Sequence, residues 1–189
     1  MAIERVGVVG CGLMGSGIAH VAALAGFSTV VRDVTPQIVE KGLQSIEKNL
    51  ARQVEKGAIS ADARDQARAR LRGTTNLDDL KDCDLVIEAI VEQVPAKKEL
   101  YAALDKICPP AAIFASNTSS ISITELAVAT KRPQRFLGLH FFNPVPVMKL
   151  VEVVRTIATD PGVYDEAVAF GTRLGKTAVR AHDSTGFIV

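Results

Sequence analysis

The sequence has no tryptophan, only two tyrosines and three cysteines, and no excess of either charge. Each shortage closes off a class of protein. Cys11, Cys83 and Cys108 are odd in number, and no pair has C-x-x-C or zinc-ligand spacing. A disulfide-stapled or zinc-built fold is therefore not expected, and a reduced compartment is the simplest setting. Cys11 lies within a glycine-rich turn and reads as a small filler there, since nothing beside it would stabilise a thiolate. Lysine and arginine number 22 against 21 acids, a formal charge of +1, so the whole molecule has no field to draw nucleic acid or an anionic membrane. No apolar stretch approaches the roughly 18 residues of a membrane span, and Glu4 and Arg5 interrupt the first apolar run too early for a secretory signal. The expectation is a cytoplasmic protein that binds neither nucleic acid nor membrane.

What is present is ample apolar material, 48% of 189 residues, for one sizeable core. No repeat, low-complexity stretch or linker divides residues 1–189, which read as one domain. Strands are expected over 3–9, 28–32, near Thr74, and over 84–89, 112–116, 135–141, 148–155 and 177–181, with helices between most of them. That alternation indicates an α/β fold, a doubly wound and mainly parallel sheet of the Rossmann kind. Two departures are legible. About forty residues separate the second strand from the strand near Thr74, where a minimal βαβ unit needs one helix. Thr35-Pro36 and Ser60 each begin a helix well, the second over 61–71, so a helical pair is inserted after strand two. Near the carboxyl terminus, the loop carrying Pro144 and Pro146 is too short for a crossover, so the strand after it returns antiparallel. Ser122 and Glu125 read as a capping box opening a short helix.

The most informative stretch is Val6-Gly7-Val8-Val9-Gly10-Cys11-Gly12-Leu13-Met14-Gly15-Ser16-Gly17. An apolar strand meets G-x-G-x-x-G, and a helix carrying Leu13, Ile18, Val21, Leu24 and Ala25 toward the core follows at once. Gly10 suits the tight turn, Gly12 lets the backbone approach a pyrophosphate, and Gly15 lets the helix pack close to the strand. The helix amino terminus supplies N–H donors and positive partial charge to the phosphates. Asp33, 18 residues after Gly15, stands near the roughly 20-residue offset of the acid that bonds an adenosine ribose. A carboxylate there favours NAD over NADP, although Arg32 lies beside it.

In such sheets, ligands bind beyond the carboxyl ends of the strands. Gly10 to Gly15, Asp33, Glu92 with Lys97, and Asn117 to Ser119 all fall there, as does His140. His140 and Glu152 each lie six residues from Pro146, so a hairpin would set them opposite one another. Glu152 shares its strand face with Leu150 and Val154, and an acid on an apolar face is costly unless paired. A histidine partner satisfies it and holds the imidazole in one tautomer, which suits a base working beside a hydride acceptor. His20 and His182 lack such a setting and read as structural. The basic residues of the helical pair, including Arg52, Lys56, Arg68, Arg70 and Arg72, read mainly as a solvated face.

The stretches 10–19, 86–92, 116–120, His140-Phe141-Phe142-Asn143-Pro144-Val145-Pro146, 149–154 and 183–189 together resemble the NAD-binding domain of the 3-hydroxyacyl-CoA dehydrogenase family, in particular its bacterial 3-hydroxybutyryl-CoA members. The resemblance covers essentially the whole chain. It implies NAD as cofactor, an acyl-CoA substrate, and His140 with Glu152 as a catalytic dyad. Ser119 is implied as the residue that bonds the substrate 3-oxygen or the nicotinamide. Gly10, Gly12, Leu13, Met14, Gly15, Asp33, Ala89, Ile90, Glu92, Lys97, Asn117 and Asn143 are implied to line the cofactor cleft. Lys56, on the helical arm, is implied as a contact for the CoA portion. In the family the motif runs on to an asparagine and then to a helical domain that completes the acyl pocket and joins homo-oligomers. This chain stops one residue before that asparagine and is expected to be the cofactor domain. A second reading is a non-catalytic NAD(H)-binding or structural protein of the same descent; the intact His140 and Glu152 argue against it, and the missing carboxy-terminal domain argues for it.

Overall fold

The structure, a computed structural model, describes residues 3–184. β1 (Arg5–Val9) is buried from Val6 onward, as a parallel strand covered by helices on both faces requires. At Gly10 the backbone turns at φ +100° into α1 (Leu13–Leu24), and Gly26, also at positive φ, precedes β2 (Ser28–Arg32). α2 (Pro36–Glu55) begins on Thr35, whose hydroxyl accepts the Ile38 amide. α3 (Ala61–Arg70) begins on Ser60, whose hydroxyl accepts the Ala63 amide. Leu71, expected as the end of that helix, is extended, pairs with Thr29 and opens β3 (Leu71–Thr74). The inserted helical pair thus stands between β2 and β3.

β4 (Leu85–Glu88), α4 (Val94–Ile107), β5 (Ile113–Ser116), α5 (Ile123–Ala127), β6 (Phe136–Phe141), β7 (Leu150–Arg155), α6 (Pro161–Arg173) and β8 (Thr177–His182) follow. The eight-stranded sheet has the order β3-β2-β1-β4-β5-β6-β7-β8. Strands β1 to β6 are parallel; β7 runs against β6, and β8 runs with β7. The chain winds outward from β1 to β3 and then crosses back to β4, leaving a crevice at the carboxyl ends of β1 and β4, where such sheets take their ligands. One core lies between the sheet and α1, α2, α3 and α6, with Ile18, Ile46, Ala67 and Phe170. The other lies between the sheet and α4 with α5, where Leu100, Tyr101, Leu104 and Leu126 are buried.

Three expectations need correction. Leu13 does not turn to the core: it is 72% exposed, because it occupies the first position of α1, beyond the end of the sheet. β7 begins at Leu150 rather than at Met148, since the Met148 and Val145 carbonyls accept from the buried Lys176 ammonium at 2.6 and 2.7 Å. At α5, Ser122 accepts the Glu125 amide, but the Glu125 carboxylate pairs with Lys98 at 2.8 Å. The reciprocal cap comes from Asp183, which accepts from the Ile123 amide, the Thr124 amide and the Ser122 hydroxyl at 2.9, 2.7 and 2.8 Å.

Candidate active site

The glycine loop is built by close backbone contacts that only glycine allows at two positions. At Gly10 the positive φ excludes a side chain, and an added Cβ would also run into the Ala89 carbonyl. At Gly15 an added Cβ would collide with the Gly10 carbonyl oxygen, so this glycine is what lets α1 close on the loop. Gly12 differs, because a Cβ there would meet nothing within 4 Å. Its backbone therefore faces open space. No side chain caps α1 at Gly12 and no acid lies in its first turn, so its amide donors and dipole meet an incoming anion uncompensated. Met14 packs partly into the core, and Ala89 and Ile90 leave β4 against the loop.

Asp33 follows β2 at the edge of this loop. Its carboxylate accepts the Cys11 amide at 2.6 Å and the Val34 amide at 2.7 Å, which fixes it beside the glycines. Arg32 donates to the Thr75 carbonyl at 3.3 Å, a tie toward the β3 edge. Cys11 itself is buried with Sγ near the Val39 carbonyl. Burial, and then the Asp33 charge, push its thiol up to about 11, which fits a filler and not a nucleophile. Among the described residues no metal-ligating cluster is found.

The exits of β4 and β5 are joined by a charged network. Glu88, fully buried at the end of β4, accepts from Lys97 at 2.5 Å, Ser116 at 2.7 Å and the Ile90 amide at 2.8 Å. Lys97 is 1% exposed and also reaches Glu92 at 3.0 Å. It therefore stands behind the cleft wall, not on it. Glu92 is on the surface of the cleft, where it accepts from the Thr118 hydroxyl and, at 3.2 Å, from the Ser120 hydroxyl. Burial alone would raise its pKa, but the bonds from Thr118, Lys97 and Ser120 and the Lys97 charge outweigh this and leave it below the usual glutamate value. Ser119 is exposed between these two pinned neighbours.

His140 and Glu152 are register partners across the β6–β7 ladder. Nδ1 of His140 lies 2.6 Å from Oε2 of Glu152, whose side chain is 1% exposed. An ionised carboxylate only accepts, so Nδ1 carries the proton and Nε2 is the basic nitrogen. The imidazole also meets the Phe142 ring at 4.6 Å. Asn117 links the serine turn to this strand, its side-chain oxygen accepting the Phe141 amide at 2.9 Å. Thus the glycine loop, Asp33, Glu92, Asn117, Ser119 and His140 all stand at or just beyond the carboxyl ends of parallel strands, with Glu152 opposite His140. Asn143 is exposed in the loop that follows β6, and Lys56 is exposed at the carboxyl end of α2. Among the described residues no hydrogen bond ties Lys56 to the cleft. His20 is fully buried, and its burial lowers its pKa.

Sequence reasoning missed Glu88, Lys176 and Asp183. Glu88 had a visible signal, as the only charge in the strand Leu-Val-Ile-Glu. The partners of the other two lie 28 and 61 residues away, and no local pattern marks them. The matched stretch after Ser184 lies outside the described residues.

Fold and site together define a dinucleotide-binding domain of the dehydrogenase type. The family model described as 3-hydroxyacyl-CoA dehydrogenase, NAD binding domain, matches residues 5–184, and the chain belongs to this family as its NAD-binding domain. A 3-hydroxybutyryl-CoA dehydrogenase of Bradyrhizobium diazoefficiens is 50% identical over 187 residues, covering 99% of this chain and 64% of the relative. Among solved structures, FadB2 of M. tuberculosis superposes with a TM-score of 0.96 at 50% identity, covering 100% of this chain and 67% of that one. (S)-3-hydroxybutyryl-CoA dehydrogenase PaaH1 of Ralstonia eutropha superposes with a TM-score of 0.97 at 42% identity, covering 100% and 66%. The chain thus spans about two thirds of the length of these relatives.

Proposed function

We propose that this chain is the cofactor-holding part of a reversible NAD-dependent 3-hydroxyacyl-CoA dehydrogenase that acts on short chains, 3-hydroxybutyryl-CoA and acetoacetyl-CoA. The observation that carries the reading is the 2.6 Å contact between His140 and the buried Glu152 at the rim of the cofactor crevice. The bound nicotinamide supplies the hydride acceptor. Nε2 of His140 takes the proton of the 3-hydroxyl in oxidation and returns it to the ketone in reduction. Glu152 holds the ring in its tautomer and stabilises the imidazolium. Ser119 donates to the substrate 3-oxygen or the nicotinamide amide. Asp33 accepts from the adenosine ribose hydroxyls, and Glu92, Asn117 and Asn143 line the nicotinamide side of the cleft.

The remaining assignments belong to the same reading. Lys56, on the helical arm, meets the CoA portion, and the reaction is of the kind that serves fatty-acid β-oxidation in the cytoplasm. In the complete protein, homo-oligomers form through a further helical domain. Among the described residues no helix is long and apolar enough to cross a membrane. The test is NADH oxidation with acetoacetyl-CoA, by the chain alone and with an added helical domain of the family. Turnover in either supports the proposal. Tight NADH binding without turnover in both favours a non-catalytic NAD(H)-binding protein.

A further inference from the structure

The dyad and the glycine loop use none of the buried charge at the end of β4. Glu88 has no exposed surface and Lys97 has 1%, and burying an ion pair this deeply gives little net stability over an apolar pair. Its geometry has a direction. Glu88 takes four donors: Lys97, Ser116 and the Ile90 amide at 2.5 to 2.8 Å, and the buried Tyr101 hydroxyl at 3.4 Å. Lys97 and Tyr101 come from α4, Ser116 from β5, and the Ile90 amide from the turn between β4 and α4. Lys97, gripped from below, reaches up at 3.0 Å to the one carboxylate of the group that faces the cleft, Glu92. Glu92 in turn binds the hydroxyls of Thr118 and Ser120, on either side of Ser119. A carboxylate on a loop has several rotamers, and ordering them costs entropy. A lysine fixed at its far end removes that freedom before a ligand arrives.

We infer that Glu88 is a positioning residue for the cofactor: acting through Lys97, it aims the Glu92 carboxylate and sets the serine turn, so that the nicotinamide side of the cleft is formed in advance. This rests on the NAD-dependent dehydrogenase reading. The side chain touches neither cofactor nor substrate.

A double-mutant cycle on NADH affinity tests it, read by fluorescence titration together with thermal unfolding. Glu88→Gln is expected to weaken NADH about tenfold or more, the scale of one charge-assisted hydrogen bond. Glu92→Gln is expected to do the same, and Glu88→Gln with Glu92→Gln should bind no more weakly than Glu92→Gln alone. Non-additivity is the mark of two residues acting as one unit. Additive weakening, or wild-type affinity in Glu88→Gln, overturns the inference. If Glu88→Gln does not fold, Glu88→Asp keeps the charge but cannot reach Lys97 and Ser116 together. Weakened NADH binding by folded Glu88→Asp supports the inference, and unchanged affinity overturns it. A wild-type chain that binds no NADH overturns the dehydrogenase reading itself, whereas wild-type binding with an additive cycle overturns only the role of Glu88.

Discussion

In the proposed reaction, the part given to His140 rests on a single contact. Its Nδ1 is committed to a carboxylate that has almost no access to water, so the ring orientation is set before any ligand arrives. His140→Gln keeps a polar group of similar reach but removes the nitrogen able to take up and return a proton. It is expected to leave NADH affinity unchanged and to lower turnover of acetoacetyl-CoA by about 10²–10⁴-fold, the usual weight of a positioned acid–base. Equal turnover in variant and parent would take His140 out of the mechanism. The histidine and its partner were both legible, because equal spacing about Pro146 and an acid on an apolar strand face are local signals. Glu88 was only half legible. Its position in Leu-Val-Ile-Glu marks it as odd, but its partners Lys97 and Ser116 lie 9 and 28 residues on, and only the packing of α4 and β5 brings them to it.

At the scale of elements, strands and helices were read well wherever hydrophobic period and caps agreed, as at Thr35 and Ser60. They were read less well where a distant side chain decides the boundary. Lys176 draws the carbonyls of Val145 and Met148 away from the ladder, and so trims β7. Asp183 does the opposite service for α5, whose five residues would hardly start a helix unaided. Burial of the Asp183 carboxyl raises its pKa, but the Thr124, Ile123 and Ser122 donors prevail and hold it below 3.8. A depressed folded value means that the contribution is complete above pH 3.8 and is lost as pH falls through the folded value. Asp183→Ala is expected to cost about 1 kcal/mol at neutral pH, as loss of a cap does. It should also flatten the fall of stability below that pH. Urea midpoints measured from neutral to acid pH check both, and parallel curves for variant and parent would remove Asp183 from the account.

Over the whole molecule, the doubly wound class followed from the alternation of strands and helices, and the helical insertion from spacing and caps. That β8 joins β7 in the reversed direction did not, since a strand on the sheet edge leaves no mark of its direction in its residues. The same reversal has a consequence for rigidity. β7 is the interior strand of a three-strand unit, bonded to β6 on one side and β8 on the other, and it carries Glu152 at its centre. The separation of His140 and Glu152 is thus a rung of a backbone ladder, a spacing of about 4.8 Å that twist and temperature hardly alter. Loops around the crevice open with little free energy, whereas such rungs open only when the sheet does. Amide hydrogens of residues 137–141 and 151–154 should therefore exchange with deuterium among the slowest in the chain, with or without NADH. Those of 118–122 should slow when NADH is added. Warming the protein would then loosen the turns around the crevice long before it changed the distance between His140 and Glu152.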